Sequence, residues 1–239
     1  MENNSQKGSA IIGISILAGL IIFGFSLNRT VQTFKEYERT VTVRGLAEQE
    51  QMADVVIWPI QFTLASNSQE EIYRLIDENV MKVESFLEEY GISPDKISVD
   101  VPVVTDRSAQ RWGGDFSGQF RYVASQAVTV YSDEVELVRG VMKNVGELGK
   151  QGVTISGDDY QFTTEYIFTR LNDIKPEMIE AATIEARKVA EKFAEDSNSK
   201  LGKIKTATQG QFSISDRDRN NPHIKNVRVV STIVYYLSD

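Results

Sequence analysis

The chain contains no cysteine. Disulfides, thiolate nucleophiles, cysteine-ligated zinc and iron–sulfur clusters are all excluded. Compartment is left open, because a cysteine-free chain survives oxidising and reducing surroundings alike. Histidine occurs once, as His223, so no multi-histidine metal site forms within one chain. A surplus of positive charge is also missing: Lys and Arg number 26 against 34 Asp and Glu, for a net charge of −8. Neutralising phosphates favours the opposite balance, so no nucleic-acid partner is expected. Apolar residues are in ordinary supply, at 41% of the 239 residues. That is enough to offset the ordering entropy of a folded core.

What the sequence does have is a long uncharged stretch near its start. Ser9 to Leu27 reads SAIIGISILAGLIIFGFSL, nineteen residues without a charge. At the helical rise this spans roughly 28 Å, close to the hydrocarbon thickness of a bilayer. A buried helix of a globular domain would carry a polar stripe, and this run has none. A cleaved signal peptide would need small residues at its cleavage site, and Ser26-Leu27-Asn28-Arg29 is a poor match. The run is therefore expected to be a retained signal anchor. Residues 1–8 form a cytoplasmic tail, 9–27 the transmembrane anchor and 28–39 a polar connector. The folded part then faces the periplasm or cell exterior from a single-pass position in the cytoplasmic membrane. Arg29, Lys35 and Arg39 follow the run, so charge bias alone does not set this orientation.

Beyond the connector the period of the pattern changes repeatedly. Val41 and Val43 alternate with polar residues, as in a strand. Val56, Trp58, Ile60, Phe62 and Leu64 share one face of a second strand, which should sit on a core. Pro59 in that strand predicts an edge position or a bulge, because it lacks a ladder donor. Ile72, Leu75, Ile76, Val80, Val83, Phe86, Leu87 and Tyr90 follow helical spacing. Ser68 with Glu71 makes a capping box, and Gly91 a left-handed stop. Ile97 to Val103 alternates again and forms a long hairpin with Phe120–Tyr131. Asp133 and Glu136 predict the cap of a helix that holds Val135, Val138, Met142 and Val145 inward and ends at Gly149 and Gly152. Residues 153–169 look strand-like, with Tyr160, Phe162, Thr164, Tyr166 and Phe168 on one face. Pro176 fits the first turn of a long helix to about Ser199, with Met178, Ala182, Ala186, Val189 and Phe193 as its packed stripe. Leu201–Phe212 and Asn226–Leu237 are the last strands.

The order β-β-α-β-β-α-β-α-β-β, rich in hairpins, predicts an α+β fold over residues 40–239. Its sheets should be mostly antiparallel with helices on one face. A division into two lobes near residue 150 is compatible with this order, though no Pro/Gly-rich linker marks it.

Several stretches carry a family resemblance. VTVRGLAE with the Ala53-Asp54 step, YGISPDKISVD, FRYVASQAVTVYSDEVELV and EARKVAEKFAEDSNSKLGKI stand in this order and spacing. In them the chain resembles the SIMPL-domain (DUF541) family of bacterial envelope proteins, from about Thr40 to the carboxyl terminus. The family commonly has Pro-Asp where this chain has Ala53-Asp54, and its third helix is usually richer in alanine. The resemblance implies an exported or membrane-anchored protein of α/β lobes that forms homo-oligomeric rings or cages, with links in some members to envelope or oxidative stress. It implies no catalytic residue set.

Patterns that carry chemistry elsewhere are weak here. His223 has no G-x-S-x-G element to serve and is expected to be a solvated loop residue. Asp216-x-Asp218-x-Asn220 opens like a calcium loop, but Asn221 and Val227 stand where that loop needs Gly and Glu. A charged turn is expected instead. Gly113 to Gly118 lacks the Lys-Ser/Thr ending of a P-loop and reads as a hairpin tip. Trp112 and Phe116 on it are candidates for contact with lipid or a neighbouring subunit. Asp158 and Asp159 adjoin, so they point to opposite faces rather than forming an acid–base pair. No catalytic, cofactor-binding or metal-binding residue is assigned, and no cofactor is expected. The leading expectation is a non-enzymatic, membrane-anchored protein that self-assembles. An oligomeric pore or compartment, or a carboxylate-dependent hydrolase, are the rivals.

Overall fold

A computed structural model describes residues 17, 19–24, 39–109, 120–156 and 163–238. The fold is α+β. Its elements run β1 (Thr40–Met52), β2 (Val55–Ser66), α1 (Gln69–Glu89), β3 (Ile97–Val99), β4 (Val103–Asp106) and β5 (Tyr122–Ser132). There follow α2 (Val135–Met142), α3 (Gly146–Lys150), β6 (Glu165–Ile167), α4 (Leu171–Asp196), β7 (Lys200–Gln209), β8 (Ser213–Asp216) and β9 (Ile224–Ser238). The anchor expected over 9–27 lies mostly outside the described residues; Gly19–Gly24 within it is helical. Among the described residues no helix is long and apolar enough to cross a membrane. The chain divides into two compact units, each drawn from separated stretches. One comprises Met1–Gln49, Ile174–Ser213 and Val227–Asp239; the other comprises Glu50–Asp173 and Ile214–Asn226.

The second unit is built on a five-stranded sheet of order β3-β5-β2-β6, with β4 also pairing β5. Its pairings are antiparallel. The alternating face of β2 forms the floor of the core, with Val56, Trp58, Ile60 and Phe62 all buried. From β5, Val128 and Val130 join them. Helices cover this one face: Val83, Phe86 and Leu87 of α1, Val135, Val138 and Val141 of α2, and Leu148 of α3 complete the same cluster. Each such side chain contributes about 1.5–3 kcal/mol by leaving water.

Both ends of α1 follow from local chemistry. The Ser68 hydroxyl accepts from the Glu71 backbone N–H at 3.4 Å. At the far end Gly91 takes φ +88°. Its N–H donates to the Glu88 carbonyl and that of Ile92 to Leu87, both at 2.9 Å. This is a Schellman closure, and buried Ile92 seals it.

Pro59 takes no donor away from the pairing of β2 with β5. Gln61 and Thr63 turn their backbone groups away from β5, toward Ser156 N–H and the Thr154 carbonyl. Pro59 shares their side of the strand, since alternate residues face alike. There β6 pairs only Val55–Ile57, and the next contact, Ile155, lies opposite Phe62. Among the described residues none pairs with Pro59 on that side.

Several expected boundaries move. The stretch Ile97–Val103 splits into β3 and β4 around Pro102, and both pair with β5. The helix expected from Asp133 to Gly149 breaks into α2 and α3. Gly149 lies inside α3, and Gly152, at φ +85°, is the residue that ends it. Asp133 does not cap α2, because Lys96 Nζ takes its carboxylate at 2.6 Å. Of the strand expected over 153–169, the described part keeps only Glu165–Ile167 and a bridge at Ile155. β6 pairs Val55–Ile57 of β2, and residues 157–162 lie outside the described residues. Tyr160 and Phe162 lie outside the described residues.

The first unit holds most of a sheet of order β1-β9-β7. Its core is Val43, Ala186, Ala190, Ile233 and Tyr235. Gly45 explains its alanines. A Cβ at Gly45 would stand 1.8 Å from the Ala182 carbonyl oxygen and 2.5 Å from the Ala186 nitrogen. Only backbone against backbone fits there, so α4 presents its smallest side chains. The buried stripe is Met178, Ala182, Ala186, Ala190 and Ala194. Val189 and Phe193, expected in the stripe, are 41% and 56% exposed. Pro176 is also displaced from its expected place, because α4 begins at Leu171 and encloses it.

Candidate functional site

The β1–β2 turn is the best-tied feature of the second unit. The Ala53 N–H donates to the His223 carbonyl at 2.8 Å, and the Asp54 N–H to that of Ile167 at 2.9 Å. The Asp54 carboxylate then gathers three donors from the chain entering α4. These are the Thr169 N–H at 2.8 Å, the Thr169 hydroxyl at 3.1 Å and the Arg170 Nε at 3.0 Å. Its side chain is only 14% exposed. Burial pushes its carboxyl up, but the hydrogen bonds from Thr169 and Arg170 outweigh burial and hold the pKa below the ordinary aspartate value.

A shallow cleft of about 420 Å³ opens beside this clasp. Met52, Ala53 and Leu137 give it apolar walls, and Asp54, Glu136 and Arg170 its charges. Asp133 and Glu134 also line it, but Lys96 Nζ binds both, at 2.6 and 3.0 Å. Glu136 is paired with Arg139 at 2.8 Å. Every named carboxylate in the cleft is thus already matched to a cation. A general acid or base requires a proton held near neutral pH, whereas Asp54 is driven toward permanent ionisation. The arrangement is chemically suited to holding elements together.

His223 is not the solvated loop residue expected. It is buried, 6% exposed. Tyr166 stands edge-on to it, with ring centroids 6.0 Å apart, and the Tyr166 hydroxyl donates to Met142 Sδ at 3.6 Å. Burial lowers the imidazole pKa, and the nearby Arg139 and Arg217 add to this against Glu136 and Asp218. The buried ring packs the β8–β9 connection against Tyr166 within its own unit.

The residues that open like a calcium loop form a turn. Asp218 accepts from the backbone N–H groups of Asn220 and Asn221, each at 2.9 Å, and from Asn221 Nδ2. Arg217 Nε donates to it at 2.9 Å. The guanidinium and these amides bring its pKa down to about 2. Asp216 is engaged instead by Lys225, so the two carboxylates do not converge. Among the described residues no group of three or more His, Asp or Glu is placed to hold a metal ion.

A second open groove, of about 490 Å³, is lined by Thr63, Leu64, Arg107, Phe120, Val123 and Thr154. Trp112, Gly113, Gly114, Phe116, Gly118, Asp158 and Asp159 lie outside the described residues. Sequence reasoning did not single out the Asp54 clasp. Its local signal was the Ala53-Asp54 step between two strands, and its partners Thr169 and Arg170 are over a hundred residues away.

No curated protein matches the chain. The family described as SIMPL, protein of unknown function (DUF541), matches residues 41–230, well over half of the chain. The resemblance expected from the strand VTVRGLAE onward therefore holds, and the chain belongs to the SIMPL (DUF541) family.

Proposed function

We propose that this is a membrane-anchored, non-enzymatic protein of the bacterial envelope, whose folded part lies outside the cytoplasmic membrane and self-assembles into a homo-oligomeric ring or cage. The observation that carries the reading is the nineteen-residue run without charge, Ser9–Leu27. Leu20, Ile21, Ile22 and Phe23 on its helical segment are all more than half exposed, which suits lipid as a solvent. A tether confines copies to a surface, so weak lateral contacts act at high effective concentration.

Contact surface is available for that assembly. Along the outer edge of the second unit's sheet, Val99, Val101 and Val103 are 41%, 84% and 62% exposed. They sit on β3, β4 and the residues between, whose pairing within the described residues is with β5 alone. An exposed apolar edge strand of this kind pairs or packs with another copy. The first unit's edge strand β7 is less inviting: Lys200, Lys203 and Lys205 and two register shifts interrupt it, devices that resist indiscriminate pairing. Mass photometry of the detergent-solubilised full chain tests the assembly. Discrete multimers are expected, and a monomer at every workable concentration would refute it.

A further inference from the structure

The chain's one histidine sits where two strands part. β1 ends at Met52, β9 begins at Ile224, and the two are neighbours in one sheet. Just past both ends the Ala53 N–H donates to the His223 carbonyl at 2.8 Å, so this bond closes the ladder. The next residue is Asp54, whose carboxylate gathers Thr169 and Arg170. The His223 ring is buried against Tyr166. The turn before it is held by its own bonds. Asp218 accepts from the N–H groups of Asn220 and Asn221, and the Arg217 N–H donates to the Ile224 carbonyl at 2.8 Å. The β8–β9 turn is thus a self-contained piece that His223 fastens to the second unit by both its carbonyl and its ring.

A proton on this ring would meet no free counter-ion. α2 brings Glu136 and Arg139, already paired at 2.8 Å. The turn itself brings Arg217 and Asp218, paired at 2.9 Å, and Arg217 also reaches Glu50 of β1 at 3.6 Å. Asp54 is engaged by Arg170 and Asp216 by Lys225. On β6, burial raises the pKa of the Tyr166 phenol, which stays neutral, and Glu165 is exposed on the other face of the strand. Each nearby carboxylate is matched to a cation of its own, and a buried charge without a partner is costly. We propose that His223 is an acid-sensitive latch: protonation drives its ring from beside Tyr166, opens the bond to Ala53 and frays the β8–β9 turn from the second unit, while the sheet core stays folded. Burial lowers the imidazole pKa in the closed form, and Arg139 and Arg217 add to this against Glu136 and Asp218. The latch is therefore fully closed above the ordinary imidazole value of about 6.5. As pH falls below it, the open form takes up the proton that the closed form refuses. The ratio of open to closed then rises by up to about tenfold per pH unit until the closed form's own pKa is reached. Such a latch would loosen the neighbourhood of the Asp54 clasp whenever the surroundings turn acid.

A single histidine makes the test direct. In the full chain, solubilised in detergent and labelled with carbon-13 histidine, one imidazole resonance reports the titration of this ring alone. Backbone amide exchange, corrected for its intrinsic pH dependence, reads the opening. Between about pH 7.5 and 5.5 the protection of Ala53 and Ile224 should fall up to about tenfold, while that of Val128 and Val130 in β5 holds, and the ring should titrate below about 6.5. His223→Phe keeps a buried ring with no proton to gain, and His223→Gln is a second neutral replacement; in either, protection at Ala53 should not respond to pH. Unchanged protection at Ala53 in the parent chain would overturn the latch. So would an equal loss in β5, which would mean unfolding of the whole unit, or the same pH response in His223→Gln. The latch rests on the second unit alone, so its failure and that of the anchor reading are separate results.

Discussion

Replacing Gly45 by alanine is the sharpest perturbation of the fold. The new methyl would lie 1.8 Å from the Ala182 oxygen and 2.5 Å from the Ala186 nitrogen. Both are backbone atoms of one helix, so neither swings aside alone. Restoring ordinary contact requires α4 to retreat by about 1.5 Å, and a gap of even 0.5–1 Å forfeits roughly a quarter to a half of each dispersion contact. Ala186 and Ala190 would both lose partners in Val43, Ile233 and Tyr235. Overpacking commonly costs 1–3 kcal/mol; with no side chain free to yield, a loss of about 3 kcal/mol is expected. At a urea slope of about 2 kcal/mol/M the midpoint falls by about 1.5 M. Gly140→Ala is the matched control: its Cβ would meet nothing within 4 Å on α2, so it should stabilise by up to about 1 kcal/mol. Urea titration followed by circular dichroism measures both. A Gly45→Ala midpoint within 0.3 M of the parent would refute the backbone-contact reasoning.

Three further expectations follow from named groups. Asp54→Asn should cost about 1–2 kcal/mol, because one amide oxygen cannot accept all three donors. Asp54 has a lowered folded pKa, so its stabilisation is full above the unfolded aspartate value and fades as pH drops through the folded one; the variant should flatten the acid limb of urea midpoints below about pH 4. For His223 the folded pKa is also lowered, but the group is a base. The unfolded chain then binds more protons, so stability falls as pH drops from about 6.5 toward the folded value. His223→Gln should remove that slope, and an unchanged slope in pH-dependent thermal melts would contradict the burial argument. Val101→Glu combined with Val103→Glu should disperse the multimers in mass photometry while leaving the circular dichroism spectrum unchanged.

Local elements were the most readable from the sequence. Ser68, Glu71 and Gly91 mark α1 at both ends because capping chemistry acts within a few residues. The face Val56–Trp58–Ile60–Phe62 is readable because strand period and burial coincide. What escaped depended on distant partners. The α4 stripe has apolar residues at both 189 and 190 and at both 193 and 194, so its periodicity alone admits either course. Gly45, more than a hundred residues earlier, selects the alanines by its close approach. His223 lies in a loop after Asn220, Asn221 and Pro222, and the partners that approach it, Tyr166 and the Ala53 N–H, are distant in sequence. Of the strand expected over 153–169, the described residues hold a bridge at Ile155 and the strand Glu165–Ile167. No sequence pattern announced that the two units would be assembled from interleaved stretches.

The most direct test of the tethering claim is alkaline carbonate extraction of membranes from cells expressing the full chain, with intact-mass measurement of what remains in the pellet. A retained anchor predicts that the protein stays with the membrane and keeps its mass through Ser9–Leu27. Recovery in the supernatant of a polypeptide shortened by about thirty residues, the size of a removed leader, would contradict it.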